Sequence, residues 1–179
     1  MTPLTNDERH VLLESLLGGG EALVEAVAEL TPAQWNFRPA PESWTIAECC
    51  EHVELTEDRI LARLASAGSE GLDQTAGKDQ FVPRAVVSRR RRVTAPVEML
   101  PQGRYAAPLD FIEGFRVTRG RAIAAANDEA LDLRGVCAMH FALKELDGYQ
   151  WLLMTASHAL RHVDQVKEIL AHPDFPASA

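Results

Sequence analysis

The chain has 179 residues, 46% hydrophobic and 25% charged, with a formal net charge of −8. That length suits one domain over residues 1–179 with a sizeable core, and the composition excludes a disordered chain. The acidic balance repels phosphate and argues against a nucleic-acid partner, and no apolar run approaches the ~20 residues that cross a bilayer.

Val11, Leu12, Leu16, Leu23, Val24, Val27 and Leu30 recur at helical spacing and predict a first helix over about 6–30. Thr5, Asn6 or Asp7 can cap its start. The glycines at 18–20 interrupt it, each costing ~1 kcal/mol relative to alanine. One helix is the preferred reading because the stripe resumes beyond them; a kink or break is the alternative. The connector TPAQWNFRPAPESW (31–44) opens with Thr31 and Pro32, which suit a short helical turn. Its Trp35, Phe37 and Trp44 are too apolar for an idle loop, and Trp35, Trp44 and Trp151 are read as core anchors.

A second helix starts near Ser43 or Thr45, where Glu48 stands at the capping-box spacing from Thr45. It is expected to bury Ile46, Cys49, Cys50, Val53, Ile60, Leu61 and Leu64 and to end near Gly68. Residues 68–107 lack a sustained period. The most they suggest is short extended pieces around AVV (85–87) and RVTAPVEML (92–100). So long a connection is uncommon unless it crosses a bundle end or does a job, and it lets the second and third helices run parallel. Its RRRR run (89–92) reads as a solvated or ion-paired stretch in an acidic chain.

The third helix, over about 108–127, opens at Pro108 and is built on Leu109, Phe111, Ile112, Phe115, Val117 and Ile123. After a connector with a weakly apolar middle, a fourth helix runs from about 148 to 171 and stops before Pro173. Four amphipathic helices with little strand signal predict an all-α four-helix bundle. Cys49, Cys50 and Cys137 form neither a disulfide framework nor a CxxC pair. The first residues show no basic segment leading into an apolar one. The expectation is a soluble, reduced, cytoplasmic protein.

On a 100° wheel the fourth helix turns Leu152, Thr155, Ala159, Val163, Val166 and Leu170 to the core. His162 falls at the margin of that arc and His158 about 40° further round, so the two imidazoles stack on one edge. His52 lies on a flank of the second helix, on the stripe Glu48, Cys49, His52, Thr56 and Arg59. Three nitrogens from two helices would leave coordination positions open, the pattern of catalytic zinc. The alternative is a pair of edge histidines bonded to carboxylates. A metallopeptidase of HExxH type needs glutamate where this chain has Ala159. Glu48 is the candidate general base or partner of His52, against an ordinary first-turn residue. Cys49 is within reach of such an ion but reads more simply as a small buried hydrophobe. Gln165 and Arg161 are candidates for orienting a ligand and for binding an anion. His10, His140 and His172 have no partner at chelating spacing.

The segments WNFRPAPESWTIAECCEHVEL and LDGYQWLLMTASHALRHVDQVKEIL resemble the DinB-like superfamily, including its YfiT type. The matching features are Trp44 followed by His52, and the late HxxxHxxQ of His158, His162 and Gln165. The resemblance implies an up-down-down-up bundle and one divalent metal, zinc or nickel, on His52, His158 and His162. It also implies a small-molecule substrate, a homodimer and, in some relatives, a low-molecular-weight thiol cosubstrate. The expected activity is metal-dependent thiol S-transfer or hydrolysis of a small electrophile. The rival is a non-catalytic small-molecule-binding or dimerising stress-response bundle.

Overall fold

A computed structural model describes residues 3–90 and 93–177. Its elements, in chain order, are α1 (Asn6–Val27), α2 (Pro32–Trp35), α3 (Ile46–Ala65), α4 (Phe81–Val87), α5 (Pro108–Asn127), β1 (Cys137–His140), β2 (Lys144–Asp147) and α6 (Gly148–Leu170). Capping chemistry sets four of the helix starts. Thr5, Thr31, Thr45 and Asp147 each accept the N–H of the residue three further on. The side chains of Glu8, Gln34, Glu48 and Gln150 return the favour to the cap N–H. Pro108 opens α5 at a position where its missing N–H would have had no helical partner.

The bundle consists of α1, α3, α5 and α6; α1 packs on α5 and α6, and α3 packs on the same two. Two core clusters give their directions. One end gathers Leu12 and Leu16 of α1, Ile60 and Leu64 of α3, Ala122 and Ala126 of α5, and Leu152 of α6. The other gathers Leu23 and Val27, Ile46 and Val53, Phe111 and Phe115, and Val163 and Val166. Thus α1 and α6 run one way, α3 and α5 the other. This is the up-down-down-up order, and the crossover between α3 and α5 returns the chain along the length of the bundle. Helix α1 passes through its three glycines unbroken, because there it lies directly against α6. A Cβ on Gly19 would come within 2.7 Å of the Ala156 carbonyl oxygen.

Several expectations are corrected. AVV (85–87) belongs to helix α4, not to an extended piece. Pro83 falls in the first turn of α4, where a missing N–H breaks no helix bond. Of the stretch at 92–100, Arg92 lies outside the described residues, and Val97–Met99 form a 3₁₀ turn. The connector before α6 folds into an antiparallel hairpin pairing Cys137 with Asp147 and His140 with Lys144. The fold is therefore mainly α with a small two-stranded sheet. Helix α1 ends at Val27, short of Leu30, and α3 ends at Ala65, before Gly68. Leu109 and Val117 point outward, as does Val11. Helix α5 instead buries Thr118 and Arg119 beside its phenylalanines.

Those polar groups meet a seam of carboxylates on α3. Glu57 accepts from Arg119 Nε at 2.9 Å and Nη2 at 2.8 Å, both residues buried, while Arg119 also donates to the Leu16 carbonyl. In the arginine run, Arg89 pairs with Glu168 of α6; Arg91 and Arg92 lie outside the described residues. No helix among the described residues is long and apolar enough to cross a membrane.

Candidate metal centre

Neighbouring flanks of α3 and α6 bring three histidines together. One nitrogen from each of His52, His158 and His162 lies within 4.8 Å of the others. The Nε2 atoms of His158 and His162, one turn apart on α6, face each other at 3.1 Å. His52 stands edge-on to both rings, with centroids 5.1 Å away in each case. The wheel placed His52 on a flank, yet it is only 6% exposed. The crossover explains this: the Met99 carbonyl lies over it and accepts from Nδ1–H at 2.8 Å. That bond fixes the tautomer and leaves the Nε2 lone pair free.

Trp44 packs against the core, half-buried, and also forms a wall of the site. Its ring centroid lies 4.8 Å from that of His52 and 6.4 Å from that of His162, nearly parallel to the latter. Trp35 and Trp151 anchor the core, donating their indole N–H groups to the carbonyls of Tyr105 and Ala138. Thr56, on the His52 stripe, donates its hydroxyl to the Met99 sulfur at 3.8 Å.

All three imidazoles are held neutral. Burial pushes His52 below the usual histidine range, with the Met99 bond opposing. His158 and His162 lie well below it, through burial first. The neighbouring His162, His52 and Arg161 add to the effect on His158; His52, Arg161 and Arg89 add to it on His162. Nδ1 of His162 is buried with no partner at hydrogen-bonding geometry, although the Gln165 amide is near enough to oppose the shift slightly.

The donor set fits a divalent ion. Nitrogens 3.1 Å apart, each about 2.1 Å from a shared ion, subtend roughly 95°, between octahedral and tetrahedral values. Neutral imidazoles need lose no proton to ligate, and they suit zinc and nickel.

Cys49 is fully buried with its thiol pushed up to about 12, mainly by burial, and stands outside the three-histidine group. Glu48 uses one carboxylate oxygen for the Thr45 N–H at 2.8 Å and the other for Arg38 at 2.7 Å. Burial opposes these bonds but they outweigh it, holding its carboxyl below the usual range. Gln165 accepts from Arg89 at 3.2 Å, and Arg161 donates to the carbonyls of Val86 and Ser88. His10 pairs with Glu14 on the surface of α1, while His140 accepts the N–H groups of Ala142 and Leu143 inside the hairpin turn. His172 accepts the Asp174 N–H. Met99 is the site residue that sequence reasoning missed. It sits in an aperiodic crossover, and nothing local marks it.

Among solved structures, one similar chain is YfiT from Bacillus subtilis, described as "a probable metal-dependent hydrolase with an unusual four-helix bundle topology". The two share 13% identity at a TM-score of 0.60, over 94% of this chain and 89% of that one. The likeness is one of fold. No curated protein sequence matches the chain. The profile of the DinB superfamily matches residues 16–166, which include all three histidines and both helices that carry them. The chain belongs to the DinB superfamily.

Proposed function

We propose that this protein is a divalent-metal-dependent enzyme, a hydrolase or a thiol S-transferase, acting on a small electrophilic substrate. The observation that carries the reading is the convergence of His52, His158 and His162, whose nitrogens lie within 4.8 Å of one another with nothing but imidazole in the group. Family membership and the fold shared with YfiT support it. His52, His158 and His162 hold the ion, zinc or nickel. When bound, such an ion lowers the pKa of water or of a low-molecular-weight thiol and polarises the electrophile.

The chain's own residues do the rest. The Met99 carbonyl keeps the proton of His52 on Nδ1. The Trp44 ring shields His52 and His162 and gives an apolar substrate a face to stack on. Glu48, one turn before His52, is the acid–base group. It is ionised at neutral pH and gives up its Arg38 contact to take the proton released by the nucleophile. The proposal takes a cytoplasmic homodimer with a small molecule as partner, without nucleic acid or membrane. The net charge of −8 supports the last point.

The test is a panel of ester-hydrolysis and thiol-conjugation assays on protein loaded with zinc or with nickel. The expected result is turnover by the wild type that His158→Ala abolishes and Glu48→Gln reduces by about 100-fold. Turnover that survives His158→Ala would overturn the proposal. A loaded protein inactive on every substrate while still binding small molecules would favour the non-catalytic bundle.

A further inference from the structure

Among the contacts that fasten the crossover to α3 are those of two neighbouring residues, Glu51 and His52, of which only His52 belongs to the histidine cluster; Glu54, Thr56 and Arg59 add bonds to Tyr105, Met99 and Glu98. Glu51, 2% exposed, directs its carboxylate into the turn at 102–104. Oε1 accepts the Gln102 N–H at 2.8 Å; Oε2 accepts those of Gly103 at 2.8 Å and Arg104 at 3.0 Å. Three successive N–H groups converge on one anion because Gly103 adopts φ +79°, a left-handed conformation that turns the backbone into a cradle. Three residues earlier, the same segment places the Met99 carbonyl on His52 Nδ1. Consecutive side chains on a helix diverge by about 100°, so the segment wraps the flank of α3 and is pinned at both edges of the wrap.

We infer that Glu51 is a positioning residue for the metal centre: by anchoring residues 102–104 it fixes the Met99 carbonyl, and through it the His52 tautomer that exposes Nε2. The inference rests on the metal reading above for its functional meaning, but the tautomer is a property of the metal-free protein. Nothing else described fixes Nδ1 of His52. A ring free to exchange tautomers presents a protonated Nε2 part of the time. Partners that orient a ligating histidine are typically worth about tenfold to 100-fold in metal affinity.

The test uses Glu51→Gln, whose amide nitrogen presents hydrogens to a cradle of N–H donors. A second variant, Gly103→Ala, perturbs the cradle more gently. A Cβ there meets nothing within 4 Å, so the only disturbance is the left-handed φ. Two quantities are read: the ¹⁵N shifts of the His52 ring in metal-free protein, and the Co²⁺ dissociation constant followed by its visible absorption. In the wild type, His52 is expected as the Nδ1–H tautomer. Both variants are expected to move its ring shifts toward the tautomer average. Glu51→Gln is expected to weaken Co²⁺ binding at least about tenfold, and to leave it unchanged in a His52→Ala background.

Unchanged shifts and affinity in a folded Glu51→Gln protein would overturn the inference. So would an equal loss of affinity in the His52→Ala background, which would mark a general structural role. If Glu51→Gln does not fold, Gly103→Ala decides by the same readouts. If the wild type takes up no Co²⁺, the metal reading fails on its own, and the ring shifts still decide whether Glu51 sets the tautomer.

Discussion

Adjacent glycines in α1 give a controlled measure of how closely the helices pack. Gly18 and Gly19 share a helix, a neighbourhood and a backbone conformation, but a Cβ on Gly18 meets nothing within 4 Å. On Gly19 it would lie 2.7 Å from the Ala156 carbonyl oxygen and 3.4 Å from the carbonyl carbon. An ordinary contact is several tenths of an ångström longer, and the opposing atoms are α6 backbone, which cannot rotate away. Gly18→Ala should stabilise by about 1 kcal/mol, the propensity difference in a helix interior. Gly19→Ala gains the same propensity but must push α6 aside, at about 1–3 kcal/mol for an overpacked contact. The two variants should therefore differ by about 1–3 kcal/mol, or roughly 3–9 °C in Tm for a chain of this size. Urea melts of both proteins beside the wild type provide the comparison. Equal stabilisation by the two alanines would refute the close approach of α1 and α6, and with it the placement of the helix that carries His158 and His162.

The buried Glu57–Arg119 pair gives a second test. Burial pushes the Glu57 carboxyl up in spite of the neighbouring Arg119, so the pair adds little net stability, while each charge depends on the other. Glu57→Leu alone should cost about 3–5 kcal/mol in denaturant melts, and combining it with Arg119→Met should recover most of that loss. A double variant as unstable as the single would contradict this. Acid sensitivity follows from the histidines. His140 is pushed down to about 4, mainly by burial, and the three at the centre are lowered too. The unfolded chain takes up their protons near pH 6.5 and the folded chain only at lower pH, so this stability is complete above 6.5 and is lost progressively as pH falls below it, down to about 4 for His140. Metal-free protein should show a lower urea midpoint at pH 5 than at pH 7.5; equal midpoints would refute it.

How much of this was legible in the sequence follows from where the signals lie. The cap at Thr45 with Glu48, the opening of the third bundle helix at Pro108 and the stripe of α6 are local patterns, and the structure repeats them. The hairpin was not legible. Its strands are four residues each, no Asn-Gly or Asp-Gly marks its turn, and Lys144 takes the positive φ of 65° there. Helix α4 was obscured by Val82, Val86 and Val87, whose β-branching suggests a strand; burial of Val82 in the core overrides that preference. Leu109 and Val117 fit an apolar stripe on α5, but the true inner face is displaced toward Thr118 and Arg119 because α3 presents Glu54 and Glu57 opposite them. At the centre, the three histidines were visible as residues on flanks. Their burial was not, because it depends on a crossover whose Met99 reaches His52 across 47 positions of sequence.

Whether His52, His158 and His162 share one cation is decided by elemental analysis of untagged protein alongside the three single histidine-to-alanine variants. About one zinc or nickel ion per chain is expected in the wild type, with a loss of most of that metal in each variant. Substoichiometric metal in the wild type, or metal content that His52→Ala leaves unchanged, would contradict a shared cation.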